Sequence, residues 1–415
     1  MKNNTSIMSR LRTMMFMQFF VWGAWYTSIA VYMSEVGMGD LTHWPYTVNP
    51  IAAVIAPFFI GLIADKYFAT QKVLGLLHIA GAVFLFLAPS TIENPTVFII
   101  ILLIYNLCYM PTLGLSNSIA FRNIDDQEKQ FPSIRVFGTI GWIVAGLFIS
   151  FVLGGALGIT AEKTALPLYT AAVASALLGL YSFTLPDTQP ESSGKQISFK
   201  EISGLSVVKD LASPAFFVFM LASFLICIPL AAYYNFTQLF LSAMNVENIA
   251  GIQTLGQFSE IIFMLLMPLF FRHLGVKWML VVGMFAWVLR YALFAISAPD
   301  SVMWMIMLGI ALHGICYDFF FVTGQIYIDK QCTDKNRGQA QGLLVLVTYG
   351  IGMLVGAQVA GMIYNRFLDG QAALTTDNWA SFWWLPASFA AGIALLFILA
   401  FKEKNTKNAS QAEAL

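Results

Sequence analysis

Long apolar runs separated by short polar breaks dominate the chain from residue 11 to residue 402. A helix needs about 20 mostly apolar residues to cross the hydrocarbon core of a bilayer. On that measure the pattern predicts twelve spans, at 11–34, 42–64, 72–92, 95–121, 132–155, 165–185, 213–242, 248–271, 276–298, 301–328, 338–365 and 379–402. The one long polar stretch, LPDTQPESSGKQISFKEISGLSVVKDL at 186–212, divides them six and six. The expected organisation is an N-terminal half over 1–185, a linker over 186–212, a C-terminal half over 213–402 and a tail over 403–415. The opening segment is basic and then apolar, as a signal peptide would be. Its apolar part runs from about residue 13 to 33 with no small-residue cleavage site after it, so it reads as a retained first helix.

Composition agrees with an all-α integral membrane protein. Of 415 residues, 58% are hydrophobic and 11% charged, against about 25% charged in soluble proteins. The 22 basic and 22 acidic residues balance, which argues against a nucleic-acid partner. Three of the four cysteines lie inside apolar runs and none forms a CxxC pair, so neither a disulfide framework nor a metal site is indicated.

Lysine and arginine set the expected orientation. Eighteen of the 22 fall on the side of the termini, two (Lys163 and Arg366) in the opposite loops, and two (Arg135 and Arg290) within spans. That bias places both termini in the cytoplasm and requires an even number of spans. Two six-helix halves joined by a polar cytoplasmic linker resemble the layout of the major facilitator superfamily. The segment GLIADK between spans 2 and 3 resembles that superfamily's signature loop, with Gly61 allowing close helix approach and Asp65 and Lys66 at the helix end. A simple charged turn is the competing reading.

Charged groups at membrane depth are expensive, about 2.5–3.5 kcal/mol for an aspartate on insertion scales, and call for a function or a partner. In span 8, Gln257 and Glu260 share a face at i and i+3. In span 5, Arg135, Thr139 and Trp142 form one stripe, offering a charge, a hydroxyl and an indole to a polar ring substrate. The competing reading has Arg135 snorkelling to the inner surface. In span 10, His313 and Tyr317 share a face while Asp318 is turned by about 100°. Asp318 is either a proton carrier in low dielectric or a static partner of Arg290. Arg290 itself either pairs with a carboxylate across helices or reaches the outer surface. The stripe Gln18, Trp22 and Trp25 in span 1 reads as packing or interface anchoring.

The blocks FPSIRVFGTIGW, GQFSEIIFML, YNLCYMPTLGLSNSI and GICYDFF, in that combination, resemble the nucleoside:proton symporters, the bacterial nucleoside permeases of the major facilitator superfamily. The likeness runs from QFFVWGAW in span 1 to the end of span 12. It implies a nucleoside site in the central cavity, at Arg135, Thr139, Gln257, Glu260, Tyr317 and Asp318, with Trp142 standing where the pattern has phenylalanine. Two polar residues of the pattern in span 7 fall on Ala231 and Tyr234, with Asn235 adjacent as a substitute, and a span 10 tyrosine is His313 here. These departures bear on substrate range. Asp318 and Glu260 are the implied proton-coupling pair.

The expected function is therefore proton-coupled nucleoside import across a bacterial inner membrane by alternating access, by a monomer needing no cofactor beyond protons. The alternative within the same fold is a carrier for another polar solute, such as a sugar or nucleobase. An exporter is disfavoured because GTIGWIVAG in span 5 lacks the glycine-proline pair usual in exporters. A membrane enzyme is disfavoured because neither HExxH nor GxSxG occurs.

Overall fold

The structure is a computed structural model that describes residues 2–59, 68–189, 207–333, 336–371 and 373–402. The GLIADK loop (Gly61, Asp65 and Lys66), most of the linker and the C-terminal tail lie outside the described residues. Among those residues every regular element is helical, and nine helices are long and apolar enough to cross a membrane. One of the nine, Ile249–Ser297, has 49 residues and would be about 74 Å long if straight, over twice the thickness of a bilayer core. It breaks at Gly275, whose φ of 65° and ψ of −178° lie outside the helical region, so this length holds the positions read as spans 8 and 9. Two shorter helices, Trp44–Phe59 and Leu166–Ser182, occupy the positions of spans 2 and 6.

Helix starts are set by side-chain caps. Asn94 accepts from the Val97 amide, Asp126 from Lys129, Ser213 from Phe216 and Thr375 from Asn378, each satisfying a donor that the first turn leaves free. Pro95 and Pro214 follow two of these caps, where a missing N–H costs nothing. Large apolar side chains also face outward: Leu265 is 78% exposed and Leu399 67%. Such a surface suits lipid and would be a liability in water.

Span 1 packs on spans 5 and 6, with span 3 on spans 4 and 6 and span 2 on span 4. On the other side of the molecule, span 7 packs on spans 11 and 12, and the helix of spans 8 and 9 on spans 10 and 12. Between these two groups span 1 meets span 7, span 2 meets span 11, and span 5 meets span 8. The last crossing is backbone to backbone: a Cβ on Gly146 would sit 2.8 Å from the Ala250 carbonyl oxygen. Three spans around the intervening space carry widened π-helical turns, at Phe148–Gly154, Asp318–Val322 and Leu346–Gly352. Such turns release backbone groups and often accompany functional sites.

Span 1 is broken as well, into Lys2–Tyr26 and Ile29–Glu35. A break strands carbonyls before it and amides after it, and neighbouring spans take them up. Tyr46 donates to the Tyr26 carbonyl at 3.0 Å, Gln253 to the Thr27 carbonyl at 3.1 Å, and the Ala30 amide donates to Gln238 Oε1 at 3.3 Å. Gln238 also donates to Tyr46. Nearby, Gln358 donates to Thr47 at 2.7 Å and Asn365 to the Asp40 carbonyl at 2.8 Å. The two helix groups are thus stitched together at the end of the bundle away from the chain termini.

A further tie at that end crosses from the loop between spans 5 and 6 to the start of span 8. Glu162, 1% exposed, accepts from the Ala250 amide at 3.0 Å and from the Ser150 hydroxyl, while Ser150 accepts from the Gly251 amide at 2.7 Å. The residue preceding that helix, Asn248, makes no side-chain cap of its own. One helix group therefore caps a helix of the other.

Candidate functional site

A cavity of about 420 Å³ lies between the two helix groups. Size and lining suit a small polar ring compound, since pockets of several hundred Å³ with a few placed polar groups are the norm for such ligands. Of the residues singled out in the sequence, Arg135, Thr139, Trp142, Gln257, Glu260, His313 and Tyr317 line it. Asn235 and Asp318 do not. Asn235 is fully buried with neither amide atom hydrogen-bonded, and its neighbour Tyr234 faces the cavity instead. The correction follows from helix geometry, because one residue is a turn of about 100°.

Arg135 lines the cavity from span 5 while remaining exposed. Its guanidinium carbon lies 4.2 Å over the Phe19 ring, and a Cβ on Gly138 would meet its Nη1 at 2.7 Å, so the missing side chain at Gly138 makes room for it. That contact sets the guanidinium against span 1 at the cavity. Trp142 meets Trp22 edge-on at 5.4 Å and Tyr26 at 6.0 Å, building an aromatic wall. Trp22 therefore belongs to the cavity, whereas its stripe partners pack: Gln18 donates to Thr112 at 2.7 Å and contacts the His78 ring, and Trp25 donates to Tyr105 at 3.2 Å.

On the facing side, Gln257 and Glu260 come from one face of span 8 and Tyr317 from span 10, hydrogen-bonded to Tyr349 of span 11. Gln257 Oε1 is buried and has no hydrogen-bond partner among the described residues. Arg135 and Glu260 form no ion pair among the described residues, yet are close enough for their charges to interact. The site thus holds a cation and a carboxylate that are not consumed by each other.

Asp318 lies behind this wall. Gly314 packs against the Ser259–Glu260 backbone of span 8, and Asp318, one turn further on, continues that face. It is 0% exposed and neither carboxylate oxygen has a partner. An ionised carboxylate so placed costs several kcal/mol, so this conformation suits the neutral acid. The expected alternative, a static pair with Arg290, is not formed among the described residues. Arg290 instead donates from Nε to the Gly309 carbonyl at 2.9 Å and lies over the Tyr233 ring.

Several lining residues went unmarked in the sequence: Tyr26, Tyr46, Asn49, Asn117 and Tyr349. Asn49 and Asn117 carried a usable signal, as amides inside apolar runs. The tyrosines did not, because aromatics are common throughout these spans.

Comparison with known proteins agrees with this geometry. The family described as nucleoside H+ symporter matches residues 5–406. The chain is 40% identical over 408 residues to the putative nucleoside transporter YegT of Escherichia coli, covering 96% of this chain and 95% of that protein. It is 30% identical over 425 residues to the xanthosine permease of the same organism, covering 96% of each. A crystal structure of the nucleoside transporter NupG superposes with a TM-score of 0.84 at 28% identity, covering 96% of this chain and all of that one. Both the fold, that of the major facilitator carriers, and the full-length family match lead to one assignment: the chain belongs to the nucleoside H+ symporter family.

Proposed function

We propose that this chain is a proton-coupled nucleoside importer of the bacterial inner membrane, with both termini in the cytoplasm. The observation that carries the reading is a cavity between two helix groups that offers a stacking wall (Trp22, Trp142), hydrogen-bonding amides and hydroxyls, and an unpaired cation and carboxylate, in a chain matched end to end by the symporter family. Nucleosides present a flat base and a polar ribose, and the two kinds of lining answer those two parts.

Residues 1–185 and 213–402 act as the two moving halves, and the stitched end is the outer gate, here shut. With the gate open, the carboxyls of Asp318 and Glu260 take up a proton from outside, and nucleoside binds against Trp142, Arg135, Gln257 and Tyr317. The halves then rock about this central site, as in other repeat-built carriers. Release of nucleoside inward lets the carboxyl pair deprotonate, the two titrating as a linked unit. The protein works as a monomer, without metal or cofactor and without chemistry on the substrate.

The test is uptake of radiolabelled nucleosides into cells expressing the protein, with and without a protonophore. Uptake that collapses with the protonophore supports the reading. Absence of uptake for every nucleoside tried would remove the substrate, and protonophore-insensitive uptake would remove the coupling.

A further inference from the structure

Arg290 is left unexplained by the transport cycle. It is a fully buried cation in span 9 with no carboxylate partner among the described residues, and its Nη1 and Nη2 have no hydrogen-bond acceptor. Burying such a group is costly, so its contacts should reveal what is obtained in return. Its Nε–H is fixed on the Gly309 carbonyl at 2.9 Å, and its guanidinium carbon stands 4.0 Å over the Tyr233 ring. The Tyr233 ring in turn stacks on His313, with centroids 5.3 Å apart and planes 17° from parallel. From span 8, Gly256 presses on the same residue: a Cβ there would lie 3.1 Å from His313 Cβ. Arg290, Tyr233 and His313 form a column running from the interior of one helix group to the cavity wall.

The end of this column is informative. His313 is 2% exposed, its Nδ1 is buried without a partner, and Nε2 is the ring nitrogen left with access to the cavity. Tyr234 approaches His313 edge-on at 6.1 Å from the cavity side. The imidazole is thus fixed in plane and direction by a ring behind it, and that ring is fixed by a planar cation. A guanidinium over an aromatic face holds the ring by charge and shape together, which an aliphatic filler cannot do.

We propose that Arg290 and Tyr233 are positioning residues for the nucleoside site, holding His313 so that its Nε2 reads one hydrogen-bonding group of the nucleoside. The proposal rests on the nucleoside reading above and adds the device that orients one of its recognition groups. Neither Arg290 nor Tyr233 touches the ligand, so both act only through His313.

Double-mutant cycles on the purified full-length protein in lipid nanodiscs test this, with adenosine and uridine as probes and equilibrium affinity as the readout. His313→Ala should weaken binding of the nucleoside that reaches Nε2 about threefold to tenfold, the range for one net hydrogen bond. Arg290→Lys and Tyr233→Leu should each cause a loss of the same order, and neither should add to it in the His313→Ala background. Tyr233→Phe, which keeps the flat ring, should restore affinity relative to Tyr233→Leu. Equal losses in the presence and absence of His313, or no loss from either single change, would overturn the proposal and leave the column as packing. Should Arg290→Lys fail to fold, the Tyr233→Leu and His313→Ala cycle decides alone. Failure of the unaltered protein to bind either nucleoside would instead sink the nucleoside reading, and this proposal with it.

Discussion

Replacing Glu162 by glutamine should loosen the gate proposed at the stitched end. In the structure Glu162 accepts from the Ala250 amide at 3.0 Å and from Ser150, which itself holds the Gly251 amide, so two first-turn amides of span 8 depend on the other half of the molecule. Hydrogen bonds to a charged group are worth about 1.5–3 kcal/mol net, and neutral ones about 0.5–1.5 kcal/mol. Removing the charge while keeping the amide oxygen therefore weakens the closed gate by about 1–2 kcal/mol, with a helix-terminus charge contribution included in that range. A difference of that size moves a two-state equilibrium about 5- to 30-fold. The assay is pulsed dipolar spectroscopy in a cysteine-free background, with spin labels at Glu93 and Asp300, exposed loop positions in the two different helix groups. The longer distance should gain population by that factor in Glu162→Gln. Glu35→Gln is the control, because Glu35 pairs with Lys163 at 2.8 Å, half-exposed and within one helix group. An unchanged distance distribution in Glu162→Gln, or an equal shift in the control, would refute the trans-capping argument.

Other consequences are open to measurement. Gly146→Val places a side chain 2.8 Å or closer to the Ala250 carbonyl, so it should destabilise the closed gate by about 1–3 kcal/mol, the usual range for overpacking. Uptake should fall while nucleoside binding from outside survives; normal uptake would mean spans 5 and 8 need not meet so closely. Trp142→Ala should weaken nucleoside binding by about 1–3 kcal/mol through lost stacking, measured as equilibrium affinity, and an unchanged value would remove Trp142 from the site. Asp318→Asn should retain binding and lose accumulation against a gradient, whereas normal accumulation would make Asp318 structural. At the start of the linker, the Asp187 carboxyl is held below its usual range by hydrogen bonds from Gln189 and Gln71. Its tie to span 3 is present above the ordinary carboxylate value and lost as pH falls through the lowered one. Exchange protection of the Thr188 amide, which donates to Gln71 at 2.9 Å, should therefore persist into mildly acidic pH once intrinsic rates are removed. Loss of protection already at the ordinary carboxylate value would contradict the sign.

Hydropathy carried the fold a long way, because bilayer thickness imposes a length on every apolar run, and each of the twelve runs holds helix. What it could not show is where helices break. Nothing in AWYTSIAV, with no glycine or proline, announces the interruption between Tyr26 and Ile29, yet that interruption supplies the carbonyls and amide on which the gate is stitched. The site was legible where a stripe along one helix coincided with the cavity face, as with Arg135, Thr139 and Trp142. One residue of rotation separates inside from behind: Tyr234, the position matched to the pattern, faces the cavity and its offered substitute Asn235 does not, while Asp318 lies off the Tyr317 face, as its 100° turn implied. Contacts between helices distant in sequence, such as Arg290 on Tyr233, follow from packing and leave no local trace in composition.

Proton movement driven by nucleoside alone is the most direct test of coupled import. Purified protein is reconstituted into liposomes containing a pH-sensitive dye, with no pH difference and with potassium and valinomycin to clamp the voltage. Adding a nucleoside outside should acidify the lumen, and the signal should vanish in Asp318→Asn. Nucleoside entry with no lumenal acidification would show the carrier to be uncoupled and contradict the assignment of the buried carboxyl pair.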